Sequence, residues 1–123
     1  HGHRGGRNVH DTEPQEVEHY RLPGYETDEL TDLLLDYVET AGRQKEMGEE
    51  RPFFAVLSVQ PPHSPLVAPP EFRDGHVPAT IQLRPNVPAH PAYQDRARRD
   101  LAGYYAMIEN LDWNLGRLRH ALR

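Results

Sequence analysis

Apolar residues recur at helical spacing in two parts of the chain. After Thr27 and Asp28, apolar side chains return every three or four positions as far as Gly42, opposed by acidic residues. Thr27 or Asp28 can accept hydrogen bonds from the free amides of a first helical turn, and a glycine commonly ends a helix. A second, longer stretch has the same period. The pattern predicts helices over residues 27–42 and 95–122.

A different pattern lies between these helices. Residues 53–59, FFAVLSV, are apolar on both faces and rich in aromatic and β-branched side chains. This is expected of a central strand that is covered on both sides, and the length suits a strand better than a helix. A helix, a buried strand, a long proline-rich loop and a second long helix together predict an α/β fold with a largely parallel sheet.

Two segments, residues 1–23 and 60–95, have no sustained period and are predicted to be loops. Nine of the twelve prolines lie in the second segment. Each proline restricts its own φ and the conformation of the preceding residue, so an ordered path is predicted for it. Structureless loops of this length inside a compact domain are usually functional or disordered.

His63 is the candidate functional residue in the second loop. It follows Val59 by four positions, and in open parallel sheets ligands bind beyond the carboxyl ends of the strands. An imidazole can hydrogen-bond an anionic oxygen or give a proton to a leaving group near neutral pH. The alternative interpretation is an exposed loop histidine without function. A serine hydrolase is disfavoured because neither Ser58 nor Ser64 lies in a G-x-S-x-G turn.

Composition and charge narrow the possible functions. A chain of 123 residues allows one domain with a modest core. The net charge is −5 and the thirteen arginines are scattered, so no nucleic-acid-binding surface is indicated. No apolar run is long enough to predict a membrane span, and no signal peptide is visible. The absence of cysteine excludes disulfides and thiolate sites within these residues. The compartment stays open, and a periplasmic or secreted location is compatible with the sequence.

Three blocks of the sequence resemble, in the same order, segments of the sulfatase family. GYETDELTD, residues 24–32, is similar to a family helix reading GYxTDxLTD. RPFFAVLSVQPPHSPLVAPPEF, residues 51–72, is similar to a PFF strand that runs into a PHxP loop. LAGYYAMIENLDWNLGRLRHAL, residues 101–122, is similar to a helix reading YYAMIENLDxxLGRL. Together the blocks extend over residues 24–122.

The resemblance implies that residues 1–123 are the central part of one alkaline-phosphatase-like α/β/α domain that hydrolyses sulfate esters of small molecules or carbohydrates. In the family, the histidine at the position of His63 contacts the sulfate group and the leaving oxygen. The family nucleophile is a formylglycine made from Cys or Ser in a C-x-P-S-R type motif, and carboxylates and an amide bind a divalent cation, usually calcium.

Both the formylglycine motif and the metal-ligand motifs are missing from this sequence. The expectation is therefore a fragment that contributes His63 but does not turn over substrate alone. Two alternatives remain open: a phosphonate monoester or phosphodiester hydrolase of the same superfamily, and a non-catalytic sulfatase-like module. Because a single strand has two unpaired edges, the chain is also expected to self-associate or to be partly unfolded.

The other residues of the matched blocks and of the long loop are predicted to be structural or solvated. Helix residues expected to pack against the sheet are Tyr104, Tyr105, Met107 and Ile108. Residues expected on a solvated surface are His76, His90, Asn110 and Asp112. Arg84 and Asn86 are expected to organise the loop.

Overall fold

A computed structural model describes residues 2–4, 18–20, 22–48 and 52–123. The elements, in chain order, are strands β1 (Gly2–Arg4) and β2 (Glu18–Tyr20), helices α1 (Glu26–Glu46) and α2 (Pro70–Arg73), a 3₁₀ turn (Pro78–Thr80) and helix α3 (Pro91–Ala121). No helix in these residues is long and apolar enough to cross a membrane.

The first strands form a short antiparallel ladder. Gly2 pairs with Tyr20, and Arg4 pairs with Glu18. The predicted loop over residues 1–23 is therefore wrong at these two places. The remainder of that prediction falls mainly on residues 1, 5–17 and 21, which lie outside the described residues.

Helix α1 continues beyond the predicted stop at Gly42. It ends at Glu46, and the residue with a positive φ, 83°, is Gly48. A glycine inside a helix costs only about 1 kcal/mol relative to alanine, so Gly42 need not end one. The end comes where the chain adopts the left-handed conformation that glycine favours. Three acidic residues in the first turn and two basic residues in the last complement the helix dipole.

Helix α3 begins at Pro91, four residues before the predicted start. Proline is favoured at the first helical position because its missing N–H has no intrahelical acceptor there and its φ is already helical. The helix ends at Ala121, with Arg119 and His120 in its last turn. The prediction of a long C-terminal helix is correct in type and short by one turn at its start.

The predicted buried strand over residues 53–59 is not present in this structure. Residues 52–59 form no strand and make no backbone hydrogen bond to another described segment. Phe54 is 87% exposed and Val56 is 75% exposed. A strand exists only where a neighbouring backbone pairs with it, and none of the described segments lies alongside. Phe53 does contact α1, edge to face with Tyr37 at 5.6 Å between ring centroids.

The interface between α1 and α3 is polar. Asn110 and Asn114 of α3 are fully buried, and their amide groups donate to Oδ1 of Asp28 at 2.7 Å and 2.6 Å. Arg117 donates to Oδ1 of Asn114 at 3.0 Å and also pairs with Asp32 of α1. The expectation that Asn110 lies on a solvated face is wrong, because its amide satisfies a carboxylate on the facing helix. Asp112 is exposed, as expected.

Much of the predicted apolar stripe is exposed. On α3 the buried side chains are small or polar with one methionine, while large side chains of the stripe face solvent. The exposed members of the two stripes are Leu33, Tyr37, Tyr104, Tyr105, Ile108, Leu115 and Leu122. The helices meet along the face that allows the Asp28 hydrogen bonds, and no described element covers the adjoining apolar face.

Candidate functional site

The proline-rich loop is held against α3 by a small apolar cluster. Ala68 of the loop is buried with Ala106 and Met107 of the helix, and Leu66 and Phe72 pack against them. The prediction that Met107 is a packing residue is confirmed, but its partner is this loop rather than a sheet. The loop that carries His63 is therefore attached to the helix directly after the PHxP segment.

Gly103 allows the closest approach between the loop and the helix. A Cβ built at this position would lie 2.5 Å from the carbonyl oxygen of Leu66. Such a distance is far below van der Waals contact, so only a residue without a side chain fits while the Leu66 backbone stays in place. A Cβ at Gly116, on the same helix, would meet nothing within 4 Å. A glycine inside a helical pattern was the only sequence signal for this contact.

Two further contacts attach the later part of the loop to α3. Nε2 of His76 lies 2.8 Å from Oε2 of Glu109, and the rings of Phe72 and Trp113 are 5.8 Å apart. The His76 side chain is only 25% exposed, so the expectation of a solvent-facing histidine is wrong. His90 is exposed, as expected. The loop is thus an ordered segment, as its prolines predicted, with contacts at several points along the helix.

Arg84 and Asn86, the familial residues of the later loop, are exposed. The N–H of Val87 donates to the Arg84 carbonyl at 3.1 Å and closes a turn around them. Their contribution in this structure is a backbone turn.

His63 itself is exposed and has a fixed hydrogen-bonding arrangement. Its backbone N–H donates to the Gln60 carbonyl at 3.0 Å, and its Nδ1 lies 2.7 Å from the Ser64 carbonyl oxygen. A carbonyl oxygen can only accept, so Nδ1 carries the proton of this bond. The peptide bonds Pro61–Pro62 and Ser64–Pro65, on either side of the histidine, are cis.

This arrangement leaves Nε2 as the nitrogen of His63 that can meet a ligand. In the neutral ring Nε2 is an acceptor, and in the imidazolium it is a donor while Nδ1 keeps its bond to Ser64. An exposed donor of this kind can hydrogen-bond an anionic oxygen. The sequence had pointed to the residue, but the choice of nitrogen depends on the conformation of the loop.

The cation site implied by the resemblance is not formed by the described residues. Within residues 22–48 and 52–123, no three His, Asp or Glu side chains lie close enough together to hold a metal ion. The Asp28 carboxylate accepts hydrogen bonds from two asparagine amides. These residues therefore do not fit a divalent cation, and no chemical step is assigned to one here.

The segment similar to GYxTDxLTD lies at the start of α1. Burial raises the pKa of the Tyr25 phenol above its ordinary value. The Thr31 hydroxyl donates to the Thr27 carbonyl at 2.7 Å, and Asp28 accepts the two asparagine amides of α3. The segment connects the helices, and the described hydrogen bonds of His63 go to Ser64 and Gln60 rather than to this segment.

Two comparisons with known proteins found a match to this chain. A family model described as Sulfatase matches residues 2–123. The ulvan-active sulfatase of Formosa agariphila is 37% identical over 76 residues, which make up 61% of this chain and 14% of the relative. The chain thus corresponds to a small part of that relative's length. No solved structure matches the chain.

Proposed function

Since the chain belongs to the sulfatase family, we propose that it contributes the sulfate-contacting and leaving-group-contacting histidine, His63, to a sulfuric ester hydrolase. The observation that carries this proposal is the hydrogen bond from Nδ1 to the Ser64 carbonyl, which leaves Nε2 exposed and oriented by the ring plane. The matched PHxP pattern supports the same role.

The chemistry of the site follows from the protonation of His63. When a sulfate ester is cleaved at its S–O bond, negative charge develops on the leaving oxygen. An imidazolium whose Nδ1–H is held by Ser64 directs its second N–H, on Nε2, toward this oxygen. A donor that is already in place before the reaction stabilises the developing charge without reorganisation. The backbone bond from His63 to Gln60 and the Leu66 contact with Gly103 restrict the loop that carries the ring.

The nucleophile and the metal ligands belong, in this proposal, to other residues of a longer protein. The sequence has no cysteine, and its described residues do not fit a cation site. The small share of the relative that the chain matches and the exposed apolar side chains of both helices support this division. The 123 residues alone do not turn over substrate.

The substrate class proposed is a sulfated carbohydrate. The relative is described as ulvan-active, which supports a carbohydrate sulfate over a small aryl sulfate. The fold is also compatible with two alternatives, a phosphonate monoester or phosphodiester hydrolase and a non-catalytic module. Both are outcomes of the experiment below.

The test replaces His63 in the longer protein. His63→Ala is expected to lower kcat for sulfate ester hydrolysis by about 10²–10³-fold, the range found when one preorganised donor is removed. His90→Gln, also an exposed loop histidine, is the matched control and leaves kcat unchanged. Sulfate release at the wild-type rate by His63→Ala contradicts the proposed role. Release of phosphate but not sulfate by the wild type supports the phosphoester alternative, and release of neither supports the non-catalytic module.

A further inference from the structure

A basic cavity lies beside the loop that carries His63. Its volume is about 480 Å³, and Arg73, His76 and Arg99 line it together with Leu66 and Gly103. Asp74 is the one acidic residue among the lining side chains. The walls come from the loop on one side and from α3 on the other, so the contacts that anchor the loop also shape the cavity.

The positive charge of this cavity is only partly neutralised by neighbouring carboxylates. Arg96 and Arg98 of α3 pair with Asp100 and Asp95, but Arg99 forms no ion pair or side-chain hydrogen bond within the part of the chain that the structure describes. Arg73 lies 3.4 Å from Asp74, at the long end for a charged contact. With His76 paired to Glu109, the lining keeps one excess positive charge in a chain whose net charge is −5.

The cavity is close to His63 along the chain. Leu66, which lines it, is three residues from His63, so their Cα atoms are at most about 11 Å apart. A saccharide that extends from His63 past Leu66 can therefore place a second group in the cavity.

We propose that Arg73 and Arg99 bind a second anionic substituent, a sulfate or a carboxylate, of the carbohydrate whose sulfate ester is held at His63. The inference rests on the proposed function and adds to it a preference for polyanionic saccharides. The planar guanidinium matches the paired oxygens of both substituents, and such charge-assisted bonds are stronger than neutral ones. The cavity is open to solvent, which allows a saccharide to enter.

The experiment measures binding by titration calorimetry in the longer protein, so it does not depend on turnover. The probes are a disaccharide with two sulfates, a disaccharide with one sulfate and one carboxylate, and an aryl monosulfate. Arg99→Gln and Arg73→Gln are each expected to weaken binding of both disaccharides by about threefold to tenfold, the range for partly exposed charge contacts. Aryl monosulfate binding stays unchanged. The matched control is Arg96→Gln, on the same helix but paired with Asp100 and outside the cavity.

The two disaccharides distinguish the substituents. If the arginine variants bind only the disulfated disaccharide more weakly, the cavity binds sulfate. If they bind only the carboxylate-bearing disaccharide more weakly, the cavity binds carboxylate. Unchanged disaccharide binding in both variants, or equal loss for the monosulfate, overturns the proposal. The wild type can also bind the disaccharides in an arginine-dependent way without hydrolysing any probe. That result supports the binding site and contradicts the proposed hydrolysis.

Discussion

Two segments on either side of His63 differ in burial, and the more apolar of the two is the more exposed. Residues 52–59 are largely apolar, yet Phe54 and Val56 are mostly exposed. Residues 65–73 contain three prolines, Pro65, Pro69 and Pro70, yet this segment includes a buried alanine and packs on α3. The available packing partners, rather than apolar content, therefore decide which segment packs on the helix.

The physical reason lies in what each segment needs. An apolar strand is stable only when its backbone pairs with a neighbour and both of its faces are covered. A loop needs fewer partners, because prolines already restrict its backbone and a few side chains can attach it. Leu66, Ala68 and Phe72 find those partners on α3, whereas Phe54 and Val56 stay mostly exposed although Phe53 contacts the Tyr37 ring.

The largest expected effect comes from removing the helix side of the loop contact. Met107 is 2% exposed, and Met107→Ala is expected to lower the free energy of unfolding by about 2–5 kcal/mol, the cost of truncating a buried side chain. Urea denaturation followed by circular dichroism measures it. Leu115→Ala is the matched control, because Leu115 lies on the same helix but is 62% exposed. Equal losses in the two variants would show that the loop contact is not special.

A smaller effect is expected at the point of closest approach. Gly103→Ala places a methyl group against the Leu66 carbonyl and is expected to cost about 1–3 kcal/mol of unfolding free energy, as for other overpacked sites. The control Gly116→Ala meets no atom and is expected to stabilise by about 0.5–1 kcal/mol, because alanine favours the helix. The same denaturation experiment measures both. Stabilisation by both substitutions would mean that the loop does not contact the helix at Gly103.

The smallest effect on stability is expected in the exposed segment. Phe54→Ser is expected to change the unfolding free energy by less than about 0.5 kcal/mol, because the side chain is already in solvent. The same substitution is expected to reduce self-association of the 123-residue chain, measured by sedimentation velocity, since it removes an exposed aromatic group. A large loss of stability in the monomer would contradict the exposed position of Phe54.

The sequence predicted some of these features and could not predict others. The helical period indicated both long helices, and the prolines indicated an ordered loop. The observed ends of the helices differ from the predicted ones. Helix α1 tolerates an interior glycine at Gly42, and helix α3 begins at a proline, Pro91. The burial of Asn110 was missed because an asparagine is normally solvated, and only the facing Asp28 makes its burial favourable.

The helical segments, the family blocks and the candidacy of His63 follow from the sequence, because they depend on neighbouring residues and short patterns. Three features follow from the packing of the chain: the available nitrogen of His63, the close contact of Gly103 with Leu66, and the shared cavity of Arg73 and Arg99. Arg73 and Arg99 lie on different segments of the chain. Their proximity follows from the packing of the loop on α3, which no local pattern encodes.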